Sequence, residues 1–270
     1  MNAAELFQKI EKIIPLDIVL EGDKVGFIGS ETPNDIQVEN VLVLMDYIPS
    51  CELKFLSNSL NNSETNNSKI NYEDYDLLIT HHPPLIKPEI PTYVIHSNWD
   101  LMVGGACDSL AETLEIKVLD VLDPETGLGR LGSPFNGPIS LEELESLVME
   151  KLNIDCIKSV KTSKFLNNPQ MKINKVAVVS GFGLNPNFIK NAQNRGAEVY
   201  ISGDLTHPGA IMAKTLGMNL IDVNHHASEI PGLYDLAQLI EDLVKDLGVF
   251  VEVFNTGIPW DTKFKFISDK

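Results

Sequence analysis

The six histidines of this sequence follow or end apolar segments that resemble buried strands. They are His81, His82, His96, His207, His225 and His226. In open α/β sheets, ligands bind beyond the carboxyl ends of the strands. Imidazole nitrogens coordinate transition metals and carry protons near neutral pH. The histidines therefore indicate a metal or catalytic site at the ends of several strands.

His81 and His82 lie in ITHHPPLI (79–86), where two prolines stop an apolar run. On a regular strand, neighbours point to opposite faces, but in an irregular turn both can enter one cleft, each near a different ion of a close pair. Pro83 ends the strand and restricts the backbone after the histidines. Taken alone, the pair is explained equally well by histidines that cap a strand or bond a turn carbonyl.

His96 and Asp100 lie in IHSNWD (95–100), which ends another apolar run. An isolated aspartate here is best explained as a cap of the following helix. Beside a histidine pair, however, it supplies the negative charge and the bridging oxygens that a dinuclear cation site needs.

NHHASE (224–229) is the most informative of these segments. If a helix begins near Ala227, His225 and Glu229 are four residues apart and share one face of its first turn. Helical metal-binding motifs use the same spacing, although an acidic residue is also favoured at a helix N-terminus by the helix dipole. His226 is expected to point away from this face.

SGDLTHP (202–208) is a weaker candidate. Asp204 and His207 are expected, at most, to contact ligand residues from outside, and helix capping explains Asp204 equally well. The predicted metal ligands are therefore His81, His82, Asp100, His225 and Glu229. Nitrogen and oxygen ligands without sulfur suit two divalent ions of Zn, Fe, Mn, Co or Ni. The sequence has no GxSxG elbow, P-loop lysine motif or dinucleotide fingerprint.

The segments that must position these residues predict an α/β fold. Near-continuous apolar runs are typical of strands that are buried on both faces, and their alternation with helical patterns predicts mainly parallel sheets. The predicted strands span 41–46, 76–80, 92–97, 175–181, 198–202 and 219–223.

Helices are predicted from amphipathic patterns and capping residues. An amphipathic first helix carries Leu6, Ile10, Ile13 and Ile14, and a long helix from Ala227 is expected to bury Leu236, Leu239, Ile240 and Leu243. Ser140 with Glu143 forms a capping-box pattern, and Asn185-Pro186 opens a helix that Gly196 closes.

The six strands fall into two sets of three in the same order, which predicts an internal duplication. We expect two similar α/β domains with the metal site in the cleft between them. The first would comprise residues 1–125 plus 230–270, and the second residues 126–229. The Gly- and Pro-rich stretch 125–138 is expected to be the domain junction, and the Asn/Ser-rich stretch 57–68 to be a mobile loop.

Composition excludes several classes of protein. The net charge of −17 disfavours nucleic acid and anionic membrane surfaces as partners. The three cysteines have no CxxC spacing and indicate reduced thiols. The acidic residues of the first helix are unlike a signal peptide, and no apolar run is long enough to span a membrane. A cytoplasmic protein without a membrane partner is expected.

THHP, HSNWD, GLGRLG, SGDLTHP and NHHASE, in this order and at these distances, resemble the NIF-three-like family (NGG-one-interacting-factor-three-like). Many of its members carry the name GTP cyclohydrolase 1 type 2. GDKVGFIGS (22–30) is similar to an early signature of that family. Two features depart from the family pattern: the Asn-rich insertion before THHP, and Trp99, where a smaller apolar residue is common.

The resemblance implies two similar α/β domains and a dinuclear metal centre at the five ligand positions. It also implies assembly of the chain into hexameric rings, as trimers of dimers, with the metals facing an internal cavity. The expected function is a dinuclear metal-dependent hydrolase of the GTP cyclohydrolase 1 type 2 kind, in which a hydroxide between the metals attacks a small-molecule substrate, a nucleotide. His96 is the expected proton donor and Glu229 the second catalytic residue, with His207 a lesser candidate for proton donation.

Two other classes of function stay open. A non-catalytic regulatory or scaffold protein would hold its metals in closed coordination without spare polar groups. His96, His226, Asp204 and His207 are spare here, which favours catalysis. DNA binding is opposed by the net charge of −17.

Overall fold

The computed structural model describes residues 1–52 and 70–260. The Asn/Ser-rich stretch 57–68 lies outside these residues. The helices are α1 (Ala3–Ile13), α2 (Ser97–Leu101), α3 (Ala106–Thr113), α4 (Leu141–Lys151), α5 (Ser163–Asn167), α6 (Pro186–Asn194), α7 (His207–Leu216) and α8 (His225–Val244). The strands are β1 (Gly26–Ile28), β2 (Asn40–Leu44), β3 (Leu77–Thr80), β4 (Thr92–Val94), β5 (Ile116–Val121), β6 (Arg130–Pro134), β7 (Ile139–Ser140), β8 (Lys158–Val160), β9 (Lys172–Ile173), β10 (Val176–Phe182), β11 (Val199–Gly203), β12 (Asn219–Asp222) and β13 (Phe250–Phe254).

Two mixed sheets form the framework. The first has the strand order β1-β4-β3-β2-β13, and all its neighbours are parallel except β1 and β4. The second has the order β5-β6-β10-β11-β12-β8, in which the only parallel pairs are β10 with β11 and β11 with β12. A short antiparallel ribbon, β7 with β9, lies apart from both sheets.

The prediction of mainly parallel pairing is therefore wrong for the second sheet. Its outer strands pair antiparallel: β5 with β6, β6 with β10, and β12 with β8. The chain between β5 and β6 is short, and a short connection joins antiparallel strands, whereas parallel neighbours need a crossover of a dozen or more residues.

The six strands predicted from apolar runs are all present, as β2, β3, β4, β10, β11 and β12. The helix signals are confirmed as well. Ser140 and Glu143 form a capping box at α4, and Asn185 accepts hydrogen bonds from the first turn of α6. The three strands of each predicted set are neighbours in their sheet. Whether the two sets arose by duplication stays a prediction. The domain boundaries also stay a prediction.

The stretch expected to be a domain junction contains β6, which lies inside the second sheet between β5 and β10. Its glycines serve the turn before this strand: Gly127 and Gly129 both have positive φ, at 88° and 73°. Glycine adopts this backbone without the steric penalty of a side chain. The strand β5, which precedes residue 126, belongs to the second sheet, and β13 belongs to the first.

Helix α8 connects the two sheets. It contacts β10 and β11 of the second sheet and β2 and β13 of the first. Leu236 and Ile240 on its buried face are fully covered, whereas Leu239 and Leu243 are only half-buried, contrary to prediction. The covered face instead continues through Leu233, Ala237 and Val244. The first turn of this helix is thereby fixed relative to strands of both sheets.

Arg130 ties the start of β6 to the segment that carries Asp100. Its side chain is only 1% exposed, and its guanidinium donates to carbonyl oxygens on both segments and forms an ion pair. These acceptors are Gly127, Gly129, Leu101, Met102 and the Asp108 carboxylate. The arginine of GLGRLG is therefore a buried cross-link between α2, α3 and the second sheet.

Candidate metal centre

The strand ends bring six polar side chains together into what we call the histidine–carboxylate cluster. His81 and His82 directly follow β3, His96 and Asp100 follow β4, and His225 and Glu229 lie in the first turns of α8 after β12. The cluster comprises His81, His82, His96, Asp100, His225 and Glu229. All five residues that the sequence suggested as ligands are in it, and their role as ligands stays a prediction.

Glu229 lies at the centre of the cluster. Its Oε1 is 3.0 Å from Nε2 of His225 and 3.7 Å from Nε2 of His81, and its Oε2 is 3.1 Å from Nε2 of His82. The Nε2 atoms of His82 and His225 are 3.2 Å apart. One carboxylate therefore contacts imidazoles that come from both sheets.

Asp100 completes the buried side of the cluster. Its Oδ1 is 3.6 Å from Nε2 of His81, and the imidazole ring of His96 lies 5.2 Å from that of His81 and 5.4 Å from that of His82. Two subsets offer ligand atoms within 4.8 Å of one another: His81, His82 and His96, and His82, His225 and Glu229. Each subset could hold a metal ion.

The four histidines of the cluster are oriented in the same way. Each has its Nδ1 within hydrogen-bond distance of an oxygen outside the cluster and leaves Nε2 toward the interior. The Nδ1 partners are the Ile95 carbonyl for His81 (2.9 Å), Asp46 for His82 (2.8 Å), Asp23 for His96 (2.8 Å) and Asp204 for His225 (2.7 Å). Such partners fix the tautomer with the proton on Nδ1, so that Nε2 presents a lone pair to a metal.

Three buried atoms of the cluster make no hydrogen bond. They are Nε2 of His81, Oδ1 of Asp100 and Oε2 of Glu229. A buried polar atom without a partner costs about 1–3 kcal/mol. Because all three are atoms that coordinate cations, the donor set fits divalent metal ions with nitrogen and oxygen ligands.

The pKa values of the cluster reflect its close packing of acids and bases. Burial lowers the pKa of His82, but the neighbouring carboxylates of Asp46 and Glu229 outweigh it and raise the pKa to about 10. Burial also opposes protonation of His225, yet Glu229 and Asp204 raise its pKa to about 9. For Asp100, burial raises the pKa to about 7. Without metal, protons therefore provide much of the charge balance.

The backbone around α8 is strained where it positions the cluster. Asn224 and Asp204 have positive φ, at 65° and 57°, a conformation that is uncommon for residues other than glycine. The helix begins at His225, two residues before the predicted start, because the Asn224 side chain caps it by accepting from the backbone N–H of Ala227 at 2.8 Å. The predicted i, i+4 pairing of His225 with Glu229 is present.

Two of the residues that orient the cluster, Asp23 and Asp46, were missed in the sequence. Both had a signal. Asp46 ends the apolar run VLVLMD, where the strand-end rule applies, and Asp23 belongs to GDKVGFIGS. Asp23 also accepts from the backbone N–H of Ser97 at 3.1 Å, which holds the start of α2.

The remaining histidines lie outside the cluster. His226 points away from it, as expected, with its Nε2 2.8 Å from Oδ1 of Asn255. His207 is exposed at the start of α7. Asp204 bonds His225, one of the proposed ligands.

A cleft of about 600 Å³ opens beside the cluster and gives access to it. Its polar side includes His82 and His225 together with Asp46, Asp204 and His226. Its apolar side is formed by Met45, Pro83, Leu85, Pro259 and Trp260. We call this space the Trp260 cleft.

Two mixed sheets, with a histidine–carboxylate cluster at their strand ends, define an α/β protein that could hold divalent cations. The profile of the family described as Duf34/NIF3 (NGG1p interacting factor 3) matches residues 84–258. The chain belongs to this family.

Relatives and solved structures agree with this assignment. The chain is 39% identical over 259 residues to a "GTP cyclohydrolase 1 type 2 homolog" of Methanothermobacter thermautotrophicus, covering 94% of this chain and 93% of that protein. A protein of the same name from Methanocaldococcus jannaschii is 32% identical over 251 residues, or 86% of this chain and 92% of its own. The structure of reduced HcgD from M. jannaschii superposes with a TM-score of 0.71 at 26% identity, covering 96% of this chain and 98% of HcgD.

A Bacillus cereus protein related to NIF3 superposes with a TM-score of 0.76 at 18% identity, with 99% of each chain covered, and shows the shared fold. In the described part of the chain, no helix combines the length and the apolar character that crossing a bilayer requires.

Proposed function

We propose that this protein is a dinuclear metal-dependent hydrolase that acts on a small molecule bound in the Trp260 cleft. The observation that carries the proposal is that four imidazoles have Nδ1 anchored, and that three of them, His81, His82 and His225, direct Nε2 at the buried carboxylate of Glu229. The proposed ligands are His81, His82, Asp100, His225 and Glu229.

Divalent cations held by these residues would lower the pKa of a bound water molecule towards neutrality and so supply a nucleophile. The protein residues would hold the ions, fix the orientation of the imidazoles and donate a proton. Glu229, the central carboxylate, would hold both ions, and Asp46, Asp23 and Asp204 would keep the imidazoles in the metal-binding tautomer. His96 is the proposed proton donor. Burial and the neighbouring His81 lower its pKa, so that its protonated ring would give up a proton readily.

The names of the relatives make GTP the first substrate to test, as the resemblance implied. A hexameric ring with the metals facing an inner cavity is proposed because the family resemblance implies it. The alternative of a non-catalytic regulatory or scaffold protein predicts bound metal without turnover. One experiment that measures metal content and turnover therefore tests the hydrolase proposal and this alternative together.

The test is the His225→Ala variant, compared with the unchanged protein and with His207→Ala. His207 is a matched control because it is an exposed histidine outside the cluster. Elemental analysis should find about two metal ions per chain in the unchanged protein and in His207→Ala, and fewer in His225→Ala. Turnover of a hydrolysable substrate, GTP first, should be lost only in His225→Ala.

Turnover by His225→Ala at the unchanged rate and unchanged metal content would overturn the proposal. Two bound metals without hydrolysis of any compound in a broad panel of nucleotides and nucleosides would favour the non-catalytic alternative.

A further inference from the structure

We infer that the substrate carries a flat heteroaromatic ring that stacks on the indole of Trp260, and that Trp260 determines specificity for it. The inference deepens the proposed function, on which it rests, by naming a substrate class for the same site.

The apolar side of the Trp260 cleft is unusually open to solvent. Trp260 is 60% exposed and Leu85 is 100% exposed. Pro83 and Pro259 line the cleft beside them. A large apolar surface next to a polar cluster is typical of a ligand site, and an exposed indole face favours stacking with flat rings.

The opposite side of the cleft determines what the edge of such a ring meets. His82 and His225 of the cluster line it, so a ring stacked on Trp260 lies beside the proposed metal ions. Asp46 and Asp204 line it too, and an ionised carboxylate can only accept hydrogen bonds. A ring with N–H or amino donors at its edge complements these acceptors.

The apolar side of the cleft offers no cation to a phosphate chain. Among the described residues that line the cleft, two are carboxylates and none is lysine or arginine. A phosphate chain would meet only the proposed metal ions and the start of α8, where His225 and His226 line the cleft. The ring, and not a phosphate chain, is therefore the part of a ligand that Trp260 would recognise.

The experiment compares guanosine with GTP, which share one ring and differ in the phosphate chain. Calorimetric titration of the metal-loaded full-length protein should detect binding of both, because both carry the ring. Guanosine should also quench the tryptophan fluorescence, because one of the two tryptophans, Trp99, is buried and donates to the Gly232 carbonyl, whereas Trp260 lies in the cleft.

The variants assign the binding to Trp260. Trp260→Ala should weaken guanosine binding by roughly tenfold or more, and Trp260→Phe should restore much of it, because stacking needs an aromatic face. Tyr234→Ala is the matched control. Tyr234 is an exposed aromatic residue of a neighbouring cleft and does not line this one, so its loss should leave guanosine affinity unchanged.

Equal guanosine affinity in Trp260→Ala and the unchanged protein would overturn the inference, as would binding of GTP without any binding of guanosine. A change in oligomeric state in Trp260→Ala without a change in affinity would also overturn it, since a second copy would then cover the indole. Failure of the proposed function looks different: guanosine would bind at Trp260, but the metal-loaded protein would hydrolyse none of the compounds tried.

Discussion

Gly181 lies so close to Glu229 that a Cβ atom at position 181 would overlap Oε1 of that carboxylate. The same Cβ would lie 3.4 Å from Nε2 of His225. The glycine at the end of β10 is therefore part of the wall of the histidine–carboxylate cluster, and its missing side chain leaves the space that Glu229 occupies.

Gly181→Ala should displace Glu229 and reduce metal content. The control is Gly217→Ala: both glycines have positive φ, at 74° and 70°, but no atom lies within 4 Å of a Cβ at Gly217. Each substitution should cost about 1–2 kcal/mol of stability from backbone strain. Only Gly181→Ala should also lose metal in elemental analysis, and equal metal content in the two variants would contradict this role.

Asp204→Asn should weaken metal binding without removing a proposed ligand. Its carboxylate fixes the tautomer of His225 through Nδ1, at 2.7 Å, and loss of such a partner reduces metal affinity about 10–100-fold. Competition with a chromogenic chelator measures the change. Asp35→Asn, at an exposed site of the N-terminal region, should leave metal affinity as it was. Equal affinities in the two variants would show that Asp204 does not act through His225.

Metal uptake should release protons and become tighter as the pH rises. The pKa values of about 10 for His82 and about 9 for His225 mean that both imidazoles are protonated at pH 7 in the metal-free protein. A metal must displace these protons, so affinity increases with pH until the pH passes the two pKa values.

Calorimetry in buffers of different ionisation enthalpy counts the protons. We expect the release of about two protons per chain at about pH 7 and clearly fewer above about pH 10. A release that is zero, or that stays constant over this range, would mean that these imidazoles bind no metal.

Arg130→Met should destabilise the fold strongly. The guanidinium is buried, pairs with Asp108 at 2.7 Å and donates to carbonyls on both sides of the cross-link. Breaking a buried ion pair by removing one partner costs about 3–5 kcal/mol. Urea unfolding would measure the loss.

Arg195→Met is the comparison for this variant, because Arg195 pairs with Asp120 at the surface. Exposed pairs contribute about 0–1 kcal/mol. Similar losses of stability in the two arginine variants would rule out the cross-link as a main source of stability.

The sequence determined the strands of both parallel sets and most of the cluster. Runs such as VLVLMD and KVAVVSG are apolar at nearly every position, because strands buried on both faces leave no solvent-facing side. Histidines at the ends of such strands meet because parallel neighbours end at the same edge. This rule applies to His82 and His96, which follow the neighbouring parallel strands β3 and β4, whereas His225 comes from the second sheet.

Only the tertiary structure decided which polar residues orient the cluster and how the outer strands pair. Asp23 and His96 are 73 positions apart, and nothing local to either residue specifies their 2.8 Å contact. The edge strands β1, β5 and β8 are short or half-exposed, so their patterns resemble loops. Hairpin or crossover geometry, and not apolar content, sets their direction.

The start of α8 shows the same division at the level of one turn. The spacing of His225 and Glu229 is written in the sequence, and a helix was enough to pair them. The capping by Asn224 depends on its left-handed backbone, and Glu229 can occupy the cluster only because Gly181 of another element leaves room. Spacing along the chain thus identifies His225 and Glu229 as a pair. The position of their side chains in the cluster depends on close packing between elements.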